Sequence, residues 1–171
     1  MTDSSIARGQ NWLQTFLQKA GLSVEVEGEL AKDALAVSKS SDGEGYWLTI
    51  DKTNLTPEQI KILIGADGSV LDAIQYLANS ILNINQQPEQ QASYTIELNG
   101  YRIQRQEQIQ TLAQSAAQQV RSTGQEVEIK SLSSAERRQV HTLLEGLSDL
   151  ETFSRGKEPH RHLVVRPAGI A

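Results

Sequence analysis

The spacing of hydrophobic positions changes along the chain, and each spacing predicts a type of secondary structure. Apolar side chains three and four positions apart over residues 5–19, followed by Gly21, predict a first helix. Alternating apolar positions at residues 23–27 and 46–52 predict two strands, with a turn or loop at residues 39–45 between them. The chain is therefore expected to begin with the order helix, strand, strand.

Two consecutive helices and a third strand are predicted next. A capping-box sequence at residues 56–59 predicts a helix that ends at Gly65. A second helix is expected to follow at once, with Ser69 as its cap and Asp72 three residues later. Residues 93–98 alternate between apolar and polar and predict a strand.

The rest of the chain, from residue 101 onward, again mixes helices and strands. The predicted elements lie at residues 102–122, 126–130, 133–145, 150–154 and 162–166. Ser133 and Glu136 form a second capping-box sequence, and Gly124 is expected to end the long helix before it. The fold class is therefore α+β, in two small domains over residues 1–100 and 101–171.

Charge distinguishes the two predicted domains. Residues 1–100 carry 6 Lys and Arg against 13 Asp and Glu, whereas residues 101–171 carry 10 against 8 and all three histidines. This asymmetry fits ordinary variation between domains as well as a second domain that meets a polyanion. The sequence contains no cysteine, no signal-peptide pattern and no apolar run of membrane-spanning length. We therefore expect a cytoplasmic protein that does not enter membranes.

A glycine-bracketed loop joins the two consecutive helices. Gly65, Ala66, Asp67 and Gly68 allow a tight change of direction and expose N–H groups at a helix start, where a phosphate can bind. Four residues alone fit a helix–helix turn without a ligand equally well. Asp67 is also a candidate cap of the following helix.

A second motif combines an arginine and a histidine four residues apart. Arg137 and His141 should share one face of their helix, as a paired phosphate contact requires, and we expect the Arg137 head group to be exposed. Taken alone, the pair is also typical of a solvated helix face. A basic segment follows at residues 155–162, which suits phosphate binding or forms a surface loop without a partner. Its charged and titratable residues are Arg155, Lys157, Glu158, His160, Arg161 and His162.

The residues around both motifs resemble the Jag family of bacterial RNA-binding proteins over residues 10–167. The resemblance is carried by residues 62–77, 99–105, 136–141 and 152–161. It implies a type II K-homology domain at residues 1–100 and a small R-three-H domain at residues 101–171. The family's usual N-terminal domain is expected to be missing, because the chain begins almost directly with the K-homology helix.

The glycine-bracketed loop departs from the pattern of the family it resembles. In the family this loop clamps the backbone of about four nucleotides, and the two residues between its glycines are usually basic. Here they are Ala66 and Asp67. A carboxylate ~4 Å from a phosphate costs on the order of 1 kcal/mol in water. The first domain could therefore serve mainly as a scaffold or a protein-binding surface.

These patterns together predict non-catalytic binding of single-stranded RNA, with single-stranded DNA as a further ligand. The resemblance implies post-transcriptional regulation and a second small K-homology protein as partner. The alternative is a protein–protein adaptor whose RNA-binding loop has degenerated. Arg137 and His141 are the leading candidate contacts, and the glycine-bracketed loop is the second candidate site. The supporting candidates are Arg138, Arg155, Lys157 and Arg161.

Catalytic, cofactor and metal sites are not predicted. The sequence has no Ser/His/Asp arrangement, no phosphate-binding Walker loop and no dinucleotide fingerprint. His160 and His162 could contact a metal ion, but no cysteine or carboxylate cluster beside them completes a site.

Overall fold

The computed structural model describes residues 2–31 and 45–169 and confirms the α+β class. The described elements are α1 (Thr2–Lys19), β1 (Val26–Leu30), β2 (Gly45–Ile50), α2 (Pro57–Ile64), α3 (Ser69–Leu82), β3 (Ser93–Leu98), α4 (Tyr101–Thr123), β4 (Val127–Ile129), α5 (Ser134–Leu144), β5 (Leu150–Arg155) and β6 (His162–Pro167). Short 3₁₀ turns lie at Ala66–Gly68 and Pro88–Gln90. The chain divides into two compact units, Met1–Arg102 and Ile103–Ala171.

The first unit contains a three-stranded sheet in the order β1-β2-β3. β1 pairs antiparallel with β2, and β2 pairs parallel with β3. A parallel pair needs a crossover connection, which α2 and α3 supply here. One apolar core joins the helices to the sheet. It includes Leu13, Leu17, Leu48, Leu71 and Ile96.

Side-chain amides of α3 and of its C-cap residue bind the outer edge of β3. They stand four residues apart, at Gln75, Asn79 and Asn83. Asn79 donates to the Tyr94 carbonyl and accepts from the Tyr94 N–H, both at 2.8 Å. Asn83 makes the same pair of bonds with Ala92, and Gln75 accepts from the Ile96 N–H at 2.9 Å. Since β3 is an edge strand, this amide ladder supplies the bonds that a neighbouring strand would make.

The second unit contains an antiparallel sheet in the order β4-β6-β5. One face packs against α4 and α5, and its core includes Ile109, Val120, Val140, Leu163 and Val165. The capping box predicted for α5 is confirmed. The Glu136 N–H donates to Ser133 Oγ at 3.2 Å, and the Ser133 N–H donates to Glu136 Oε2 at 2.8 Å. The capping box predicted for α2 is also present.

The predicted cap of α3 is wrong. Gly68, with a φ of 78°, is the N-cap residue, and Ser69 already has helical dihedrals. Asp72 does not complete a cap and instead accepts from Arg102 Nη1 at 2.5 Å. The left-handed backbone of Gly68 starts the helix one residue earlier than predicted. Ser69 is therefore already inside the helix and cannot be its N-cap.

The first strand also lies later than the sequence pattern indicated. β1 starts at Val26, which stands opposite Ile50 of β2, and the Gln14 amide of α1 binds the Val24 carbonyl at 3.4 Å instead. Except for Gly45, the loop predicted at residues 39–45 lies outside the described residues. Among the helices that are described, none combines the length and apolarity needed to cross a bilayer.

Candidate nucleic-acid interface

Arg137 is buried inside the second unit, with 6% of its surface exposed. Its guanidinium donates to the Leu132 carbonyl at 2.9 Å, the Arg161 carbonyl at 3.1 Å and Ser134 Oγ at 3.0 Å. It also forms an ion pair with the Glu158 carboxylate. The expected exposure of its head group is therefore wrong, because the β5–β6 connection closes over the first turn of α5. Arg137 holds that connection in place.

The β5–β6 connection exposes positive charge around the buried Arg137. Gly156, with a φ of 90°, begins it, and the His160 N–H donates to the Lys157 carbonyl at 2.8 Å. Lys157, Arg161 and the neighbouring helix residue Arg138 are exposed, and none forms an ion pair within the described residues. We call Arg138, Lys157 and Arg161 the cation cluster.

His141 lies one helical turn after Arg137 and is exposed. Its ring Nδ1 is hydrogen-bonded to Thr152 Oγ1 of β5. The structure therefore places Arg137 and His141 on the side of α5 that meets the β5–β6 hairpin. Only the histidine of this pair is open to a ligand.

Arg155 differs from the cation cluster because it already pairs with carboxylates in β4 and just before it. Its Nη1 lies 2.8 Å from Glu126 and 3.2 Å from Glu128. The hydrogen bond from Arg155 lowers the pKa of Glu126 and raises the pKa of Arg155. His162 also lies 3.3 Å from Glu128. Arg155 therefore brings little free positive charge to a phosphate.

The glycine-bracketed loop in the first unit has the left-handed geometry that its glycines allow. A Cβ atom on Gly65 would lie 2.5 Å from Val70 Cγ2, and one on Gly68 would lie 2.5 Å from the Tyr101 ring. Ala66 and Asp67 are exposed between them. The expected cap by Asp67 is wrong, because Gly68 is the N-cap residue and Asp67 itself has a φ of 52°.

A groove beside β5 contains residues that the sequence did not single out. It has a volume of about 370 Å³ and wraps around the free edge of β5, from the face that α5 covers, where Thr152 lies, to the opposite face, where Glu151 and Phe153 lie. We call it the α5–β5 groove, and it is lined by residues that include His141, Leu144, Glu151, Thr152, Phe153 and Arg166. Arg166 lies 4.9 Å from the centre of the Phe153 ring and 2.9 Å from Glu151. The sequence indicated these residues only through the alternation of apolar and polar positions in β5. Any strand with one buried face shows that alternation, so it does not predict a groove.

Comparison with known proteins identifies a known domain in the second unit. Residues 107–167 match the family model of the R-three-H domain, in agreement with the domain expected from the sequence. The RNA-binding protein KhpB of Bacillus subtilis is 32% identical over 114 residues, which is 66% of this chain and 54% of that protein. KhpB of Clostridium symbiosum is 32% identical over 112 residues, or 66% and 50% of the two chains. This chain thus spans about half the length of these two relatives.

Proposed function

We propose that this chain binds single-stranded RNA without catalysing a reaction, through the cation cluster and His141. The observation that carries the proposal is a set of three exposed cations around a buried arginine, in a segment that matches the R-three-H domain, and none of the three forms an ion pair in the described part of the chain. The relatives that this chain resembles are named RNA-binding proteins, which supports the same function.

The chemistry of the cation cluster suits a phosphate backbone. An arginine fork can bind two phosphate oxygens, and each neutralised phosphate releases counterions from the nucleic acid. Arg138 and Arg161 would supply such forks and Lys157 a point charge. Arg137, with its guanidinium already bonded to the protein, is proposed as a positioning residue that fixes the Arg161 backbone.

The first unit is proposed to be a type II K-homology domain over residues 1–100, with the R-three-H domain at residues 101–171. The parallel β2–β3 pair and the tight α2–α3 loop support this assignment. Asp67 would weaken phosphate binding at the loop, so we place most of the RNA affinity in the second unit. The same proposal includes single-stranded DNA as a further ligand and a second small K-homology protein as a partner. It also includes a cytoplasmic location and a role in post-transcriptional regulation.

The second candidate function is that of a protein–protein adaptor. It is favoured by the exposed Asp67 in the loop and by the excess of acidic residues over residues 1–100. An adaptor would not need the cation cluster, and RNA affinity therefore separates the two functions.

The test is a titration of a short single-stranded RNA with the full chain between ~50 and ~200 mM salt. The double variant Arg138→Ala/Arg161→Ala should bind more weakly, with a log–log salt slope that is shallower by about 1.4, since each phosphate contact contributes about 0.7 for single strands. The matched control is Lys19→Ala/Lys52→Ala, which removes two exposed cations from the first unit. Equal slopes for the two variants, or no RNA binding by the unaltered chain, would favour the adaptor.

A further inference from the structure

We infer that the α5–β5 groove is a nucleobase subsite selective for guanine, an inference that rests on the proposed RNA binding. The phosphate contacts of the cation cluster would position the strand, but they carry no information about its sequence. A groove lined by an aromatic ring, a histidine and a fixed ion pair can supply that information.

The α5–β5 groove has the size and surroundings of a small-ligand site. Its volume of about 370 Å³ lies at the lower end of the range of ~300–1,000 Å³ typical of such sites. Leu144 and Phe153 line it with apolar surface on opposite faces of the sheet, and His141 links it to the helix that carries Arg138. Because β5 is at the edge of the sheet, the groove also borders backbone groups that none of the described strands pairs.

The Glu151–Arg166 pair provides oriented acceptors and donors in this groove. Arg166 Nε and Nη2 donate to Glu151 Oε2 at 3.0 and 2.9 Å, and the guanidinium lies over the Phe153 ring. The hydrogen bond from Arg166 lowers the pKa of Glu151, so this carboxylate is ionised and has only acceptors at neutral pH. Its other oxygen, Oε1, receives from the described residues only a 3.4 Å contact from the Gly169 N–H and keeps acceptor capacity.

Guanine is the RNA base that complements this pair. Its Watson–Crick edge carries two adjacent donors, N1–H and the N2 amino group, which match a carboxylate. Its O6 and N7 atoms are acceptors that match an arginine fork. Uracil would set its carbonyl oxygens against the carboxylate, and cytosine and adenine offer a single amino group beside a ring acceptor.

The experiment compares the affinity of the full chain for two fluorescent RNAs of about eight nucleotides, one of uridine alone and one with a central guanosine. We expect about tenfold tighter binding of the guanosine RNA. Inosine, which lacks the N2 amino group, and 7-deazaguanosine, which lacks N7, should each lose part of this preference. Free guanosine monophosphate should compete only weakly, because it lacks the neighbouring phosphates that the cation cluster binds.

A variant tests the same inference from the protein side. Glu151→Gln should reduce the preference for guanosine, because it removes the carboxylate that accepts from N1–H and N2 of guanine and opposes the carbonyl oxygens of uracil. Glu107→Gln makes the same change of charge at an exposed position of α4 and should keep the preference. The base analogues act on the unaltered chain, so they remain decisive if Glu151→Gln disturbs the fold.

The outcomes separate this inference from the function on which it rests. Equal affinity for the two RNAs, with salt-dependent binding intact, would overturn the guanine subsite alone. Competition by guanosine monophosphate as strong as by the guanosine RNA would also overturn it, because the groove would then take a free nucleotide. Absence of binding to both RNAs would overturn the proposed function itself.

Discussion

The guanidinium of Arg137 donates a hydrogen bond to the backbone carbonyl of Arg161, 24 residues later in the chain. The bond ties the first turn of α5 to the residue before β6. The arginine of the motif thus acts inside the protein, whereas the side chain of Arg161 stays outside. Mutations at the two positions should therefore have different effects.

Arg137→Ala should lower the free energy of unfolding by about 2–4 kcal/mol, because it removes the donor to the buried Leu132 carbonyl and to the partly buried Arg161 carbonyl. Urea unfolding followed by circular dichroism measures this change. Arg138→Ala, at the neighbouring exposed position, should leave the unfolding midpoint unchanged. Equal stability of the Arg137→Ala protein and the unaltered chain would contradict a structural role for Arg137.

Arg161→Ala and Arg155→Ala should differ in their effect on RNA binding. Arg161 belongs to the cation cluster, and its loss should make the salt slope shallower by about 0.7. Arg155 already pairs with Glu126 and Glu128, so its loss should leave the slope almost unchanged. Fluorescence anisotropy with one RNA at several salt concentrations measures both slopes. A larger change for Arg155→Ala would show that RNA displaces its carboxylate partners.

Ala66→Lys/Asp67→Asn should strengthen RNA binding if the backbone of the α2–α3 loop still follows the nucleic acid. The change adds two units of positive charge, and even ~1 kcal/mol in total would raise the affinity about fivefold. Asparagine is chosen at position 67 because it tolerates the left-handed backbone there, whereas arginine would be strained. The gain is measured by anisotropy at low and moderate salt.

The matched control for this loop variant is Gln18→Lys/Glu27→Asn, which adds the same charge at exposed positions elsewhere in the first unit. A gain no greater than that of the control would place the loop away from the RNA. The first unit would then be better explained as a protein-binding surface.

Stability should fall in acid partly through Glu136. Its burial raises the pKa, but the bonds from Arg105 and Ser133 outweigh this effect and hold the pKa below its ordinary value of 4.5. The stability that Glu136 contributes is therefore fully present above about pH 5 and is lost as the pH falls through the folded-state pKa. Glu136→Gln should be less stable at pH 7 and should show a flatter decline between about pH 5 and pH 3.

Urea unfolding at each pH gives this profile. Glu107→Gln serves as the control, because Glu107 is exposed on α4 outside the Arg105–Glu136 pair. A decline for Glu136→Gln as steep as that for the control would assign the acid sensitivity to other carboxylates.

The parts of the fold that depend on neighbouring residues could be predicted from the sequence, and the distant contacts could not. The capping boxes at Thr56 and Ser133 are set within one helical turn and were predicted correctly. The burial of Arg137 depends on a hairpin that ends more than 20 residues later, which helical spacing does not encode. The start of α3 depends on the backbone dihedral of Gly68. Ser69 follows directly and is a residue type that commonly caps helices, so the sequence pointed to the wrong N-cap.

The candidate site, like the fold, could be predicted from the sequence only in its local features. Its charged residues could be recognised by type and spacing, but their roles depend on which of them find carboxylates across the sheet. Arg155 finds Glu126 and Glu128, while Arg161 finds no ion-pair partner in the part of the chain that the structure describes. Strand register causes this difference. Arg155 stands opposite His162, and β4, on the other side of β6, brings Glu128 within 3.3 Å of His162.

The amide ladder couples the hydrogen bonds at the outer edge of β3 to the packing of α3, because these bonds break when α3 separates from the sheet. The N–H groups of Ala92, Tyr94 and Ile96 are bonded to side chains of α3 and its C-cap residue, and not to another strand. Their exchange with deuterium should therefore follow the free energy of lifting α3 off the sheet, although the three groups lie in or beside a strand. Helix α3 and the outer edge of this sheet would thus open as one cooperative unit, which is unusual protection for an edge strand.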